Sequence, residues 1–178
     1  MRPSKIVIAA VSAALFSSAA VADTQERKFS VGLTSYATTI DFPQGEDDAS
    51  GIAVTAMGAF NPVGLGHIGF IANYAVMEHD TFSMIDITSI DASLIWGRNL
   101  TLPGFKFYVG GGFFSEKWKA GNFNQTFSGG QLTGGIGYNF DRVGLDLFVN
   151  ARSGDSYEVM GTKADSAASA GLSISYRF

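Results

Sequence analysis

The chain has 178 residues, enough for one domain of ordinary size and too few for two with separate cores. Charged residues make up 16% against 46% hydrophobic, well below the roughly 25% charge of soluble domains, so part of the surface is expected to face something other than water. The net charge of −4 with no basic cluster argues against nucleic acid as a partner, zero cysteines exclude disulfides and thiolate sites, and 2 histidines leave little for metal or acid–base chemistry.

The first 22 residues differ from the rest in composition. Arg2 and Lys5 precede a largely apolar stretch, residues 6–16, and small residues then end at Ala20, Val21 and Ala22. This layout predicts a cleavable secretory signal over residues 1–22 with the cut after Ala22. As a helix the apolar stretch would rise only about 16 Å, roughly half the hydrocarbon thickness, which counts against a membrane anchor. The remaining domain, residues 23–178, keeps 10 basic and 16 acidic residues, a net of −6.

Beyond Ala22 no stretch has the ~18 consecutive apolar residues of a spanning helix. What recurs is alternation with a period of two. It is plainest near the C-terminus, where Ala168, Ala170, Leu172, Ile174, Tyr176 and Phe178 interleave with Ser169, Gly171, Ser173, Ser175 and Arg177. One face of such a strand is apolar and the other small and polar. The same pattern, less regular, predicts strands over residues 29–40, 52–60, 68–77, 85–96, 105–118, 127–140 and 143–152, making eight with 168–178.

Turn chemistry separates the strands. Residues 61–66 with Pro62, 97–104 with Pro103 and 139–142 form short connections, whereas 41–51, 78–84, 119–126 and 153–165 are expected to be mostly longer and more acidic loops. Phe29, Phe60, Trp96, Phe105, Tyr138, Phe140 and Phe178 fall at the strand ends on the short-turn side. Phe42, Phe82, Trp118, Phe123 and Tyr157 lie at or beyond the opposite ends, so two aromatic girdles at headgroup level are predicted.

With its leader, its eight alternating segments and its ending Leu172-Ser-Ile-Ser-Tyr-Arg-Phe178, the chain resembles the small outer-membrane barrels of Gram-negative bacteria, the OmpA/OmpX type. The resemblance covers the whole of residues 23–178. It implies an all-β, eight-stranded antiparallel up-and-down transmembrane barrel, monomeric, with short turns in the periplasm and longer loops outside. It also implies that Tyr176 and Phe178 form the signal read by the barrel assembly machinery, and that outer-membrane lipid and lipopolysaccharide are the surroundings. It does not fix a function, because that barrel class hosts adhesins, lipid A enzymes and small-solute channels.

An eight-stranded barrel has a bore that side chains fill. Counting from the periplasmic ends, Lys106 and Arg177 are placed lowest in it, Asp91 and Asp146 higher, and Asp86, Glu116 and Arg152 highest, a ladder of mixed charge whose pairing would close the bore. Gly110, Gly112, Gly135 and Gly137 are expected to face inward and make room for large neighbours such as Tyr108 and Phe114. A phosphate-cradling role would need a helix directly after the glycines, and strand pattern follows instead.

Lipid-modifying barrels use a His with a Ser and an acidic partner. His67 is placed at the periplasmic rim and His79 in an external loop beside Asp80 and Ser83; adjacent loop residues lack the fixed geometry that nucleophilic catalysis needs, so His79 is expected to be a surface residue and no catalytic site is predicted. The acidic run Glu46-Asp47-Asp48 is expected to be solvated, lacking the ligand spacing of a calcium loop, and neither metal nor cofactor is predicted. The expectation is a non-enzymatic outer-membrane protein with a structural or surface-interaction role through its external loops and a largely occluded lumen. The alternatives are a narrow channel for small solutes and, behind it, a lipid A-modifying enzyme.

Overall fold

Alternating sequences pair into sheets, and a sheet closed on itself leaves no edge and no unsatisfied backbone group inside a bilayer. The computed structural model describes residues 26–178 apart from Ser83, Asn122 and Met160. The predicted signal, residues 1–22, lies outside the described residues. The strands are β1 (Phe29–Phe42), β2 (Gly45–Val63), β3 (Gly66–His79), β4 (Asp86–Arg98), β5 (Gly104–Ala120), β6 (Phe123–Asn139), β7 (Val143–Arg152), β8 (Glu158–Val159), β9 (Thr162–Lys163) and β10 (Ser166–Arg177). Eight of them close an antiparallel barrel in the order β1-β10-β7-β6-β5-β4-β3-β2, while β8 and β9 make a separate small hairpin. The seam is sealed by β1 against β10, from Ser30 opposite Arg177 to Asp41 opposite Ser166.

The faces follow the alternation. Leu172, Ile174 and Tyr176 point outward and are exposed, whereas Ser169, Ser173 and Ser175 are buried in the bore. Leu33, Ile52, Leu94, Phe113 and Leu132 are each more than 60% exposed on the outer wall. An apolar band of this extent is far more than a soluble monomer displays and is what lipid contact requires. At the end where β1 begins and β10 ends, Phe29 stacks on Phe178, Phe60 on Phe70, and Tyr138 packs against Phe140, forming an aromatic belt.

The outer end differs from expectation. Residues 41–51 and 119–126 are not long loops: β1 and β2 join through Pro43 and Gln44 alone, and β5 and β6 through residues 121–122, with Gly121 taking the left-handed φ of +56° that the turn requires. A membrane strand needs about 9–11 residues, yet β2 has 19 and β5 and β6 have 17 each. These strands therefore run past the apolar band. Beyond it the two faces exchange character: outward come Glu78, Asp86, Lys117 and Lys119, and inward come Met77, His79, Ile87 and Trp118. The protruding end is built like a soluble barrel with its apolar side inside.

That exchange removes the second aromatic girdle. Trp118 and Tyr157 are buried inside the barrel mouth, Phe42 is half-buried, and only Phe82 is exposed; the Phe123 side chain lies outside the described set. β7 ends at Arg152, opposite Gln131, so β6 continues upward with no β7 residue beside it from Gly130 to Phe123. Residues 153–165, carrying a single-turn 3-10 helix (Gly154–Ser156) and the β8–β9 hairpin, fold into that notch. A bond from the Asp165 N–H to the Asp41 carbonyl ties the end of the segment to β1.

Candidate functional site

Period two makes the lumen readable residue by residue, and two charged clusters stand in it. The upper one is centred on Arg152 at the top of β7. Its Nη1 donates to Glu116 of β5 at 2.8 Å and to the Tyr157 hydroxyl at 2.9 Å. Its Nη2 donates to the Tyr36 hydroxyl of β1 at 2.9 Å and lies 3.7 Å from the Asp91 carboxylate of β4. The guanidinium also sits 4.4 Å over the Phe114 ring, a cation–π contact. Glu116 takes a second bond from the Trp118 indole at 2.8 Å. One guanidinium thus faces two carboxylates, and every partner is itself buried.

Asp91 links this cluster to a neutral polar layer below. Its carboxylate accepts from Tyr36 at 2.6 Å, from Asn73 of β3 at 2.7 Å and from Gln131 of β6 at 3.4 Å. From there Thr34, Thr55 and Asn73 form one hydrogen-bonded run. A second run passes through Ser93, Thr133, Asn150 and Ser169 back to Tyr36. A buried polar network is favourable only when its members are satisfied, and these rows are satisfied mostly between neighbouring strands around the wall, with Ser93–Thr133 and Gln131–Asp91 reaching from β4 over to β6.

The lower cluster is an ion pair, Lys106 of β5 with Asp146 of β7 at 2.9 Å. Arg177 lies at the same end and pairs with no carboxylate among the described residues: it donates to the carbonyls of Phe140 at 2.6 Å, Asp141 at 3.2 Å and Thr101 at 2.8 Å, fastening the turns at that end to β10. Nearby Arg27 pairs with Asp141 at 2.9 Å. Beside Arg27, Met57 and Lys106 lies a cavity of about 10 Å³, room for about one water.

Of the expected ladder, Asp91, Lys106, Glu116, Asp146, Arg152 and Arg177 are inward and buried. Asp86 is not among them. It is exposed on the outer face of β4, opposite Glu78 and Lys119, because it stands five positions from Asp91 and an odd offset reverses the face. Tyr176 is outward and exposed, as is Phe178, whose N–H and carbonyl both bond to the Phe29 backbone. Gly135 leaves the space that the Tyr108 ring fills, and Gly171 does the same for Phe148.

His79 is a second correction. It is buried at the end of β3 rather than on a surface loop, because it stands on the inward face of the protruding barrel. Its Nδ1 accepts from the N–H groups of Thr81 and Phe82 at 3.1 and 3.2 Å, and its Nε2 lies 3.4 Å from Asp47. Both ring nitrogens are committed to structure. Among the described residues no group of three or more His, Asp or Glu side chains is gathered as a metal site.

Sequence reasoning missed Tyr157 as a lumen residue. It is fully buried, stacked on Phe114 at 5.4 Å with the planes 12° apart and 5.0 Å from Phe127. Burial, and then the Glu116 carboxylate, push its phenol well above the ordinary range, so it stays protonated. The sequence signal is an aromatic in a loop otherwise rich in polar and small residues.

No protein-family model and no curated protein matches the chain. Solved structures do. Neisserial surface protein A is 20% identical over 84% of this chain and 95% of that one, with a TM-score of 0.61. The attachment invasion locus protein Ail of Yersinia pestis is 16% identical over 87% and 99%, with a TM-score of 0.48. OprG of Pseudomonas aeruginosa is 12% identical over 87% and 98%, with a TM-score of 0.46. The fold is that of the small eight-stranded outer-membrane barrels.

Proposed function

We propose that the protein is an outer-membrane barrel, exported by residues 1–22, with a structural or surface-interaction role and a lumen that does not conduct. The observation that carries this is the double closure of the bore: Arg152 with Glu116, Asp91 and Tyr157 above, and Lys106 with Asp146 below. Between them Tyr36, Tyr108 and Phe148 fill the section. The apolar band faces lipid, and the exposed Lys117 and Lys119 stand just above it, at the height of lipopolysaccharide phosphates. The surface offered outward is not a set of long loops but the polar wall of the protruding strands, together with residues 80–85 and 153–165.

Planar-bilayer recording on the refolded protein is the test. Wild type is expected to be silent. A steady, well-defined conductance that rises in Arg152→Ala would overturn the closed-lumen reading and favour the narrow channel.

A further inference from the structure

Tyr157 is held as a ligand is held. It belongs to none of the barrel strands; it is flanked by the exposed Asp155 and Glu158, yet nothing of it is exposed. Its ring lies on Phe114 and against Phe127, which in turn meets Trp118 edge-on at 5.7 Å, and its hydroxyl accepts from Arg152. Every wall of this cage comes from β5, β6 and β7. Glu116, Tyr36 and Gln131 hold Arg152 in place without help from the segment that carries Tyr157.

Beyond Tyr157 that segment packs Ala164 and part of Val159 against the core but has few polar ties to the strands. Among the described residues its polar ties to the barrel, apart from the Tyr157 hydroxyl, are the Asp165 N–H to the Asp41 carbonyl and the Gln125 side chain to the Glu158 carbonyl. The Lys163–Asp155 pair is internal to it. Gly129 gives it close approach, since a side chain there would occupy the place of Ser156. The cage is therefore preorganised by the strands and filled by a residue on a tether.

We propose that the outer mouth of the barrel is a binding site for neutral phenols, with Tyr157 as its chain-borne occupant, and that a free phenol enters by taking the place of Tyr157. The ring slot selects a flat aromatic. Charge selects the hydroxyl: Glu116 and Asp91 already face Arg152 with one negative charge more than it carries, so an aromatic carboxylate would add a third anion to a buried cluster. This inference goes beyond the surface role above and does not depend on it, because binding in the mouth requires no passage through the lower cluster.

The test uses the full barrel in lipid vesicles, 4-methylphenol as probe, and Trp118 fluorescence in a Trp96→Phe background. Tyr157→Gly is expected to bind the probe saturably. Wild type is expected to bind at least ~10-fold more weakly, since only the fraction of molecules with Tyr157 out of the cage is competent. A chain with no native cysteine allows a clean lock: a Cβ at Gly129 would lie 2.9 Å from the Ser156 Cβ, so Gly129→Cys with Ser156→Cys gives a disulfide after a small shift of the tether. The oxidised pair is expected to exclude the probe and reduction to restore wild-type binding. With 4-methylbenzoate all forms should be silent. A non-saturating response in Tyr157→Gly, or one unchanged by Phe127→Ala, overturns the site. Equal binding by wild type and the oxidised pair overturns replacement of Tyr157, and this arm still decides should Tyr157→Gly fail to fold.

Discussion

Arg152→Met is the sharpest perturbation of the lumen. Methionine fills much of the aliphatic volume but leaves Glu116 and Asp91 facing a bore from which their cation has gone. Glu116 keeps the Trp118 indole, and Asp91 keeps Tyr36, Asn73 and Gln131, so the two carboxylates are not equally exposed to the loss. Removing one partner of a buried pair costs about 3–5 kcal/mol, mostly as the desolvation of the ion left behind. Most of that cost falls on Glu116, with its single remaining bond. Arg152→Met with Glu116→Gln removes both charges and should recover roughly half or more of the loss, because a neutral amide still accepts from the Trp118 indole. Urea titration of the barrel in lipid vesicles, followed by tryptophan fluorescence, measures both variants against wild type. Because the pair is dry, its contribution should barely change between low and high salt. A loss under about 1 kcal/mol in the single variant, or no recovery in the double, would refute the assignment of the upper closure to this ion pair.

Other outcomes follow from the faces and the packing. Ile174→Arg places a cation on the lipid side and should cost roughly 2–4 kcal/mol, whereas Ser173→Ala, inward and with no hydrogen-bond partner for its hydroxyl among the described residues, should be nearly silent; equal tolerance in a folding assay would reverse the faces. Gly135→Val drives a branched side chain into the Tyr108 ring and should cost about 1–3 kcal/mol, with Tyr108→Ala in the same chain relieving much of it. The folded Tyr157 phenol titrates above its unfolded value, so its contribution is complete below pH ~10 and is lost as the pH rises through the folded value. Relative to Tyr157→Phe, wild type should therefore lose on the order of 1 kcal/mol per pH unit above 10 in the same titration. The closed barrel should also resist SDS until boiled and shift mobility afterwards; identical migration would count against closure.

The membrane portion was legible because lipid outside and a polar bore inside force a strict alternation, as in 168–178, where every residue described faces the side its chemistry indicates. The outer ends were not. Where strands leave the bilayer, the outward face turns polar and the inward face apolar, so a scan for an outward apolar stripe ends the strand too soon. On that account residues Gly45 to Gly51 and Phe123 to Thr126 read as loop, although their backbones stay paired. Trp118 and His79 read as surface residues for the same reason, yet both are buried. Asp86 is a different case: its strand is legible, and its odd offset from Asp91 alone puts it on the opposite face. Tyr157 lies on no strand, and no period fixes the direction of such a residue.

The lumen network also bears on the order in which the barrel is made. Its members come from all eight barrel strands, β2 through Thr55, and the Tyr36–Ser169 contact joins residues 133 positions apart across the final seam. A sheet that has inserted but not curled already satisfies its lipid-facing side chains, whereas Asp91, Glu116 and Arg152 still lack one another. Burial of those charges becomes tolerable only when first and last strands meet, so partly curled forms gain little from the polar interior and remain open to exchange. Assembly should then behave as one late, concerted step, with lipid selecting the outward residues early and the charges of the bore rewarding only the finished ring.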